Sequence, residues 1–462
     1  MMQPFSPPIK AFERLRASDG LLITADHWQR TQAYHRHRQN FYYQSLYQAG
    51  IVSGLGVTVI SAPEAVDALY RNGRWIQVQP GTAIDAQGNP IVVTEPCVFQ
   101  VQFLCTSDEY KTVFIVLNYV DPDELRHQSG QDWVRETFRI VEKTTLDVLD
   151  VELCRIQLSP GKTTLAIADN VFFPGPNSLD LNHRCSIRNR PESVVTLAQL
   201  SEPAASNATV NQGLTYLLKA IEVLYPTLAA DPASLDISWD AVTSSRLLDY
   251  DCLYLSHDKL LNLPADLESP LKNYLDKGGV LLIAVDGENA RQEELASIRQ
   301  ELVQALAESK TDPTVGAVRA SVQAEISAID AEIAQFTQTM RQAVIDLADR
   351  LGVPLRGTGE IAPDHPLRTT PFLFSGWPAI KAQPLQLFCW GGIVLMMGHL
   401  AVVWGPDETA TRSRETIRVA HELGINLIYY AWRRRQLMQL QHSESAISPL
   451  PSPDSLTSQV TA

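Results

Sequence analysis

Residues 250–289 read YDCLYLSHDKLLNLPADLESPLKNYLDKGGVLLIAVDGEN, and their pattern decides the fold of the second half of this chain. Two short apolar runs, DCLYLS and VLLIAV, flank a segment with helical spacing that closes at Gly278-Gly279. A run that is apolar at every position belongs to a strand buried on both faces, and two such strands joined through a helix are parallel neighbours. The expectation is an α/β domain over 211–435 whose parallel sheet is covered on both sides. In open sheets of this kind ligands sit beyond the carboxyl ends of the strands. Those ends carry Ser256, His257 and Asp258 after the first run, and Asp286, Gly287 and Glu288 after the second, which makes Ser256, His257, Asp258, Asp286 and Glu288 the candidate ligand crevice. His257 with Asp286 has the side chains for an acid–base pair or a metal ligand, although polar residues at strand ends are ordinarily just solvated. A nucleophile elbow needs Ser or Cys at the sharp turn after the strand, and AVDGEN offers neither. Cys252 lies mid-strand, where a thiol is normally inert core. No catalytic residue, metal or cofactor is assigned.

Outward from this unit, TYLLKAIEVLY (215–225) reads as a helix, and 290–350 as an insertion of two helices. In the second, Val322, Ile326, Ile329, Ile333, Phe336, Met340, Val344, Leu347 and Leu351 recur at steps of four and three, a heptad seam. Leu295, Ile298, Leu302 and Leu306 supply a matching stripe before the breaker SKTDPTVG. An antiparallel hairpin satisfies both stripes; pairing with another subunit also would, and then Ile333 and Phe336 face a partner. LQLFCWGGIVLMMGHLAVVW (385–404) is about as long as a membrane span. Gln386, His399 and its glycines favour two buried strands instead, IVLMM and LAVVW, joined at Gly398-His399. A helix ending at Gly424 and one more apolar element follow, and the Ser- and Pro-rich stretch 436–462 is expected to be a flexible tail.

The first half differs. Thr24 is a good N-cap, Asp26 suits a first turn and Gly50 a stop, so 24–49 is expected to be one long helix. After it come short strands punctuated by PG and QGNP turns, giving an α+β domain of one long helix and antiparallel strands over 1–190. Pro, Asn, Ser and Gly cluster in 159–210, and 191–210 is placed as the linker. His27, His35 and His37 invite a metal reading. At about 100° and 1.5 Å per residue, however, His35 and His37 point to opposite sides, and His27 lies about 12 Å along the axis from His35, so one helix cannot bring them to one ion. The aromatic residues Trp28, Tyr34, Phe41, Tyr42, Tyr43 and Tyr47 cover most of the circumference. Such a helix is either buried among several neighbours or shows Trp28, Tyr34, Phe41, Tyr43 and Tyr47 to a partner.

Composition narrows the classes. The chain has 462 residues, 45% hydrophobic and 19% charged, with a formal net charge of −14. That is an ordinary globular composition, long enough for two large domains, and its acidity disfavours a nucleic-acid partner. The six cysteines form no CxxC pair, so zinc and thioredoxin-like chemistry lack their spacing and reduced thiols in the cytoplasm are expected. MMQPFSPPIKAFERL has no apolar core of a secretory signal. SGLG (53–56) lacks the third glycine of a dinucleotide fingerprint, and no GxxxxGK[ST] occurs.

Two resemblances follow from residues already quoted. GLLITADHWQRTQAYHRHRQNFYYQSLYQAGIVSGLGV (20–57), then IQVQPGTAIDAQGNPIVV (76–93), then NSLDLNHR (177–184) resembles a module of proteins associated with contractile phage tails and contractile injection systems, over about 1–190. YDCLYLSHD, LKNYLDKGGVLLIAVDGEN, APDHPL, GHLAVVWGPD and ELGINLIYYAW resemble a domain of unknown function akin to class I glutamine amidotransferases. The second resemblance implies a flavodoxin-like sheet, with the amidotransferase cysteine expected near Asp286 and absent. Together they imply a non-catalytic structural or adaptor component of an injection system or tail-like particle, at its baseplate or periphery, in a homo- or hetero-oligomer with other subunits. The alternatives are a hydrolase or transferase, or a ligand-binding sensor, using the strand-end crevice.

Overall fold

The computed structural model describes residues 11–105, 109–121, 135–161, 164–201, 208–231, 236–239, 242, 244–260, 262–285, 290–308, 316–355, 357–380, 383–398, 400–407 and 411–442. The chain divides by its internal contacts into two units, 2–190 and 191–462.

The first unit opens with helix α1 (Ala25–Leu46), and strands follow: β1 (Tyr47–Gln48), β2 (Gly50–Gly54), β3 (Val57–Ile60), β4 (Trp75–Val78), β5 (Gly81–Ile84), β6 (Pro90–Val93), β7 (Cys97–Gln100), β8 (Lys111–Val120), β9 (Thr137–Lys143), β10 (Val151–Leu158), β11 (Leu179–Asp180) and β12 (Arg188–Asn189). They form antiparallel sheets ordered β2-β5-β6, β3-β4-β7, β11-β10-β8-β9 and β1-β12. Their shared core includes Ile51, Leu55, Ile76, Val78, Ile115, Leu117, Leu153 and Ile156. This is α+β architecture. The helix does not run on to Gly50: Tyr47 caps it in extended backbone and the chain enters β1 directly. Gly50 serves instead as a close approach, because a Cβ there would lie 2.7 Å from the Cys185 carbonyl oxygen.

The second unit contains β13 (Ser193–Val195), β14 (Leu197–Ser201), α2 (Ala208–Leu224), β15 (Leu228–Ala230), β16 (Asp236–Ser238), α3 (Ser244–Leu247), β17 (Cys252–Ser256), α4 (Glu268–Asp276), β18 (Val280–Val285), α5 (Ala290–Glu308) and α6 (Gly316–Leu351). It is completed by α7 (Pro366–Thr369), β19 (Ala379–Ile380), β20 (Gln383–Pro384), β21 (Gln386–Trp390), β22 (Ile393–Met397), α8 (Leu400–Trp404) and α9 (Arg414–His442). Its main sheet runs β16-β14-β17-β18-β22-β21, parallel throughout except for the antiparallel edge strand β21. Side chains alternate across it. Cys252, Tyr254, Leu282 and Val394 pack with α2, α8 and α9, whereas Leu253, Leu255, Ile283 and Leu395 pack with α3, α4 and the end of α6. Burial on both faces explains why β17 and β18 carry no polar alternation.

Three expectations change here. The stretch 191–210 is not simply a linker, since β14 within it is buried along its whole length and pairs with β16 and β17. LAVVW is the short helix α8 rather than a strand; the hairpin is β21–β22, with Trp390 paired to Ile393 across Gly391-Gly392 and Gly391 at φ +72, a turn glycine accepts without strain. Finally α9 passes straight through Gly424 to His442, so no helix ends there and helix occupies the start of the expected tail. Gly424 is small because α9 lies against its neighbours at that point: a Cβ would meet the Trp404 indole nitrogen at 2.8 Å, and Leu217 as well. Among the described residues, no helix is long and apolar enough to cross a membrane.

The insertion folds back on its own unit. Helices α5 and α6 pack together, with Arg299 and Asp330 paired across them at 2.5 Å. With 36 residues against 19, α6 outruns its partner, and its remaining seam, Phe336 and Met340 through Val344, Leu347 and Leu351, joins the core beneath α3 and α4. Phe336 therefore packs on its own chain, and Ile333 is half-buried on the same seam.

Candidate partner-binding face

Helix α1 starts where Thr24 ends the extended chain. The Thr24 hydroxyl accepts from the His27 backbone N–H at 3.4 Å, and His27 Nδ1 accepts from the Thr24 N–H at 3.3 Å, a capping box in which histidine fills the place of Glu or Gln. His27 is thus occupied in capping, and His35 and His37 are exposed. Among the described residues no group of three or more His, Cys, Asp or Glu side chains is placed to hold a metal ion.

What holds α1 to its unit is polar. Arg36 Nη1 donates to Asp121 Oδ1 at 3.3 Å, the Asn40 and Asn89 amides are hydrogen-bonded at 2.6 Å, and Gln44 Nε2 donates to the Gln87 carbonyl. Arg190 Nη1 donates to the Gln44 carbonyl at 2.7 Å. Positions 36, 40 and 44 are spaced i, i+4, i+8 and make one stripe. The surface beneath is the turn between β5 and β6. There Asp85 Oδ1 accepts from the Gln87 and Asn89 N–H groups at 2.9 and 2.8 Å, and Oδ2 from Asn89 Nδ2 at 2.9 Å. Burial pushes the Asp85 carboxyl upward, against these hydrogen bonds, which favour its charge. Gly88, at φ +79, lets that turn touch the Asn40 backbone. The "AIDAQGNP" pattern is therefore a seat for the helix.

Because the seated stripe is polar, Trp28, Phe41, Tyr42 and Tyr47 are left exposed, and α1 has no buried residue. At about 100° per residue, Trp28, Arg38, Tyr42 and Leu46 lie on the arc opposite the stripe. Trp28 is 59% exposed, Tyr42 51% and Leu46 56%. Phe41 and Tyr47 are also exposed, while Tyr34 and Tyr43 are half-buried. Arg38 is held in the middle, donating to Tyr34 Oη at 3.0 Å and to Tyr42 Oη at 3.3 Å. Phe12, from the preceding segment, meets Tyr34 and Phe41 edge-on at 6.5 and 5.4 Å. Trp, Tyr, Phe and Arg are the side chains enriched at interface centres.

The strand-end crevice is different. Ser256 and His257 are half-buried and Asp258 is exposed, whereas Asp286 and Glu288 lie outside the described residues, and with them the pairing of His257 with Asp286. His257 Nε2 lies 3.3 Å from the Met340 carbonyl of α6. Burial lowers the His257 pKa, while Met340 and Asp258 oppose the shift. Sequence reading missed this contact, though the unequal helix lengths signal that half of the α6 seam must find a surface other than α5. His365 behaves alike: its Nδ1 accepts from the Leu367 N–H at 3.2 Å to cap α7, and burial lowers its pKa.

Both histidines are favoured neutral in the fold. The unfolded chain therefore takes up protons first, at about pH 6.5, and stability that is complete above that value falls as the pH drops. The denaturation midpoint of the second unit is expected to decline between pH 7.5 and 5.5, and the decline to flatten in His257→Gln/His365→Gln. An equally steep decline in that variant would refute the assignment.

No family model matches the chain, and no curated protein matches it. Among solved structures it is similar to one described as a crystal structure of TssK, at 9% identity and a TM-score of 0.24, with 71% of this chain and 57% of that chain covered. A likeness of that size carries neither fold nor function across.

Proposed function

We propose that this chain is a non-catalytic structural adaptor of a contractile injection system or tail-like particle, assembling in the cytoplasm with other subunits and docking through the outer arc of α1. The observation that carries the reading is the inverted helix, whose polar stripe holds it to its own unit and whose Trp28, Arg38, Tyr42 and Leu46 remain open. The kind of particle comes from the resemblance of 1–190 to tail-associated modules. For the second unit, the order β16-β14-β17-β18-β22 corresponds to 2-1-3-4-5 in sequence among the parallel strands, which supports the flavodoxin-like reading and, with it, descent from an amidotransferase-like domain. The absence of Ser or Cys from AVDGEN and the contact of His257 with Met340 support architectural rather than chemical use.

The test is Trp28→Glu with Tyr42→Glu in the full chain. Both side chains are exposed, so unfolding midpoints should be unchanged, while co-sedimentation with sheathed particles should be lost. Undiminished co-sedimentation would refute docking through α1.

A further inference from the structure

The first unit carries a second apolar feature, far from α1 in sequence. Residues 166–179 form a loop closed at its neck, where the Ala166 N–H donates to the Asn177 carbonyl at 2.9 Å and the Leu179 N–H to the Ala166 carbonyl at 3.3 Å. Asn177 locks that neck to β10. It is buried, adopts φ +59, donates its N–H to the Gln157 carbonyl at 2.8 Å, and bonds Ser159 through both ends of its amide. The tip is equally fixed: Asn170 accepts from the Phe172 N–H at 3.0 Å through its side chain and from the Phe173 N–H at 3.2 Å through its carbonyl, and Asn182 Nδ2 donates to the Val171 carbonyl at 2.7 Å. This frame holds Val171, Phe172 and Phe173 in water at 64%, 75% and 82% exposure, beside Ile167 at 64%.

Two adjacent exposed phenylalanines on a braced loop are unfavourable for an isolated monomer, and a patch of this kind marks a contact surface. The charge pattern selects the kind of contact. From Thr164 to Asn182 the only charged side chains are Asp169 and Asp180. A loop that inserts into a membrane surface gains from Lys and Arg against anionic headgroups; this one offers neither between Thr164 and Asn182, and its exposed charge is the Asp169 carboxylate. We infer that the 166–179 loop is a second docking element, whose Val171-Phe172-Phe173 tip enters an apolar pocket with a basic rim on a neighbouring protein subunit. The inference rests on the particle reading and names the chemistry of one neighbour. Because the tip is already ordered, little conformational entropy is lost on docking.

Sheathed particles prepared without this chain serve as the probe, with full-length protein added back. Wild type should rebind, and Phe172→Ser/Phe173→Ser should rebind about 30-fold or more weakly, with unchanged unfolding midpoints. If wild type rebinds and the variant rebinds equally well, the inference fails while the particle reading stands. If wild type itself does not rebind, both fail. Binding of wild type, but not the variant, to phosphatidylcholine–phosphatidylglycerol vesicles would also overturn it, in favour of a lipid surface.

Discussion

Gly279→Ala is expected to leave the second unit largely unfolded in moderate urea while the first unit unfolds as before. A Cβ at 279 would fall within the Tyr274 ring. Tyr274 cannot yield cheaply: it is buried, its hydroxyl donates to the Asp251 carbonyl at 2.9 Å and it accepts from the Val280 N–H at 3.1 Å. Overpacking costs about 1–3 kcal/mol, and a displaced Tyr274 hydroxyl, buried and without its partners, costs about 1–3 kcal/mol more, while the Val280 N–H still donates to the Asp251 carbonyl at 3.2 Å; about 4 kcal/mol is therefore expected from a total of about 5–15. Urea unfolding followed by tryptophan fluorescence measures it. In the Tyr274→Leu background the same alanine should cost far less, because the ring it strikes is gone. A loss under about 1 kcal/mol for Gly279→Ala alone would show that the ring relaxes freely.

Asn426→Leu should be nearly as damaging despite the similar shape of the two side chains. Asn426 is fully buried in α9, where its Nδ2 donates to the Leu367 carbonyl at 3.0 Å and to the Phe372 carbonyl at 2.7 Å, and its Oδ1 accepts from the Phe372 N–H at 2.9 Å. One amide thus satisfies three backbone groups, one within α7 and two in the segment after it. Leucine keeps the packing and strands all three, and at about 1–3 kcal/mol per group, less the gain from an apolar side chain, a net loss of about 3 kcal/mol is expected. Amide exchange should rise first at Phe372, and an unchanged rate there would remove Asn426 from this role.

The elements that sequence made legible are those whose physics is local. Thr24 announces α1 through a cap three residues long, and β17 and β18 are bounded by polar residues and by Gly278-Gly279. LAVVW was illegible as a helix because five residues contain too little of either period. Strand β14 was hidden because Gln199 and Ser201 are polar yet buried, and such residues read as loop. The seating of α1 could not be read either. Burial is inferred from apolar stripes, but here Arg36 finds Asp121 across 85 positions and Asn40 finds Asn89 across 49. Of the candidate site, the aromatic content was visible; which arc faces outward depended on those distant polar partners.

The polar seating of α1 also sets how the helix can be used. Lifting it from the turn at 85–89 would expose little apolar surface, so heat capacity and denaturant sensitivity would scarcely register the separation. The seating of α1 draws on hydrogen bonds and one ion pair, while a neighbour meeting the outer arc draws on apolar burial. The two uses compete for no side chain and no driving force, so the helix can be gripped from outside without loosening its hold within.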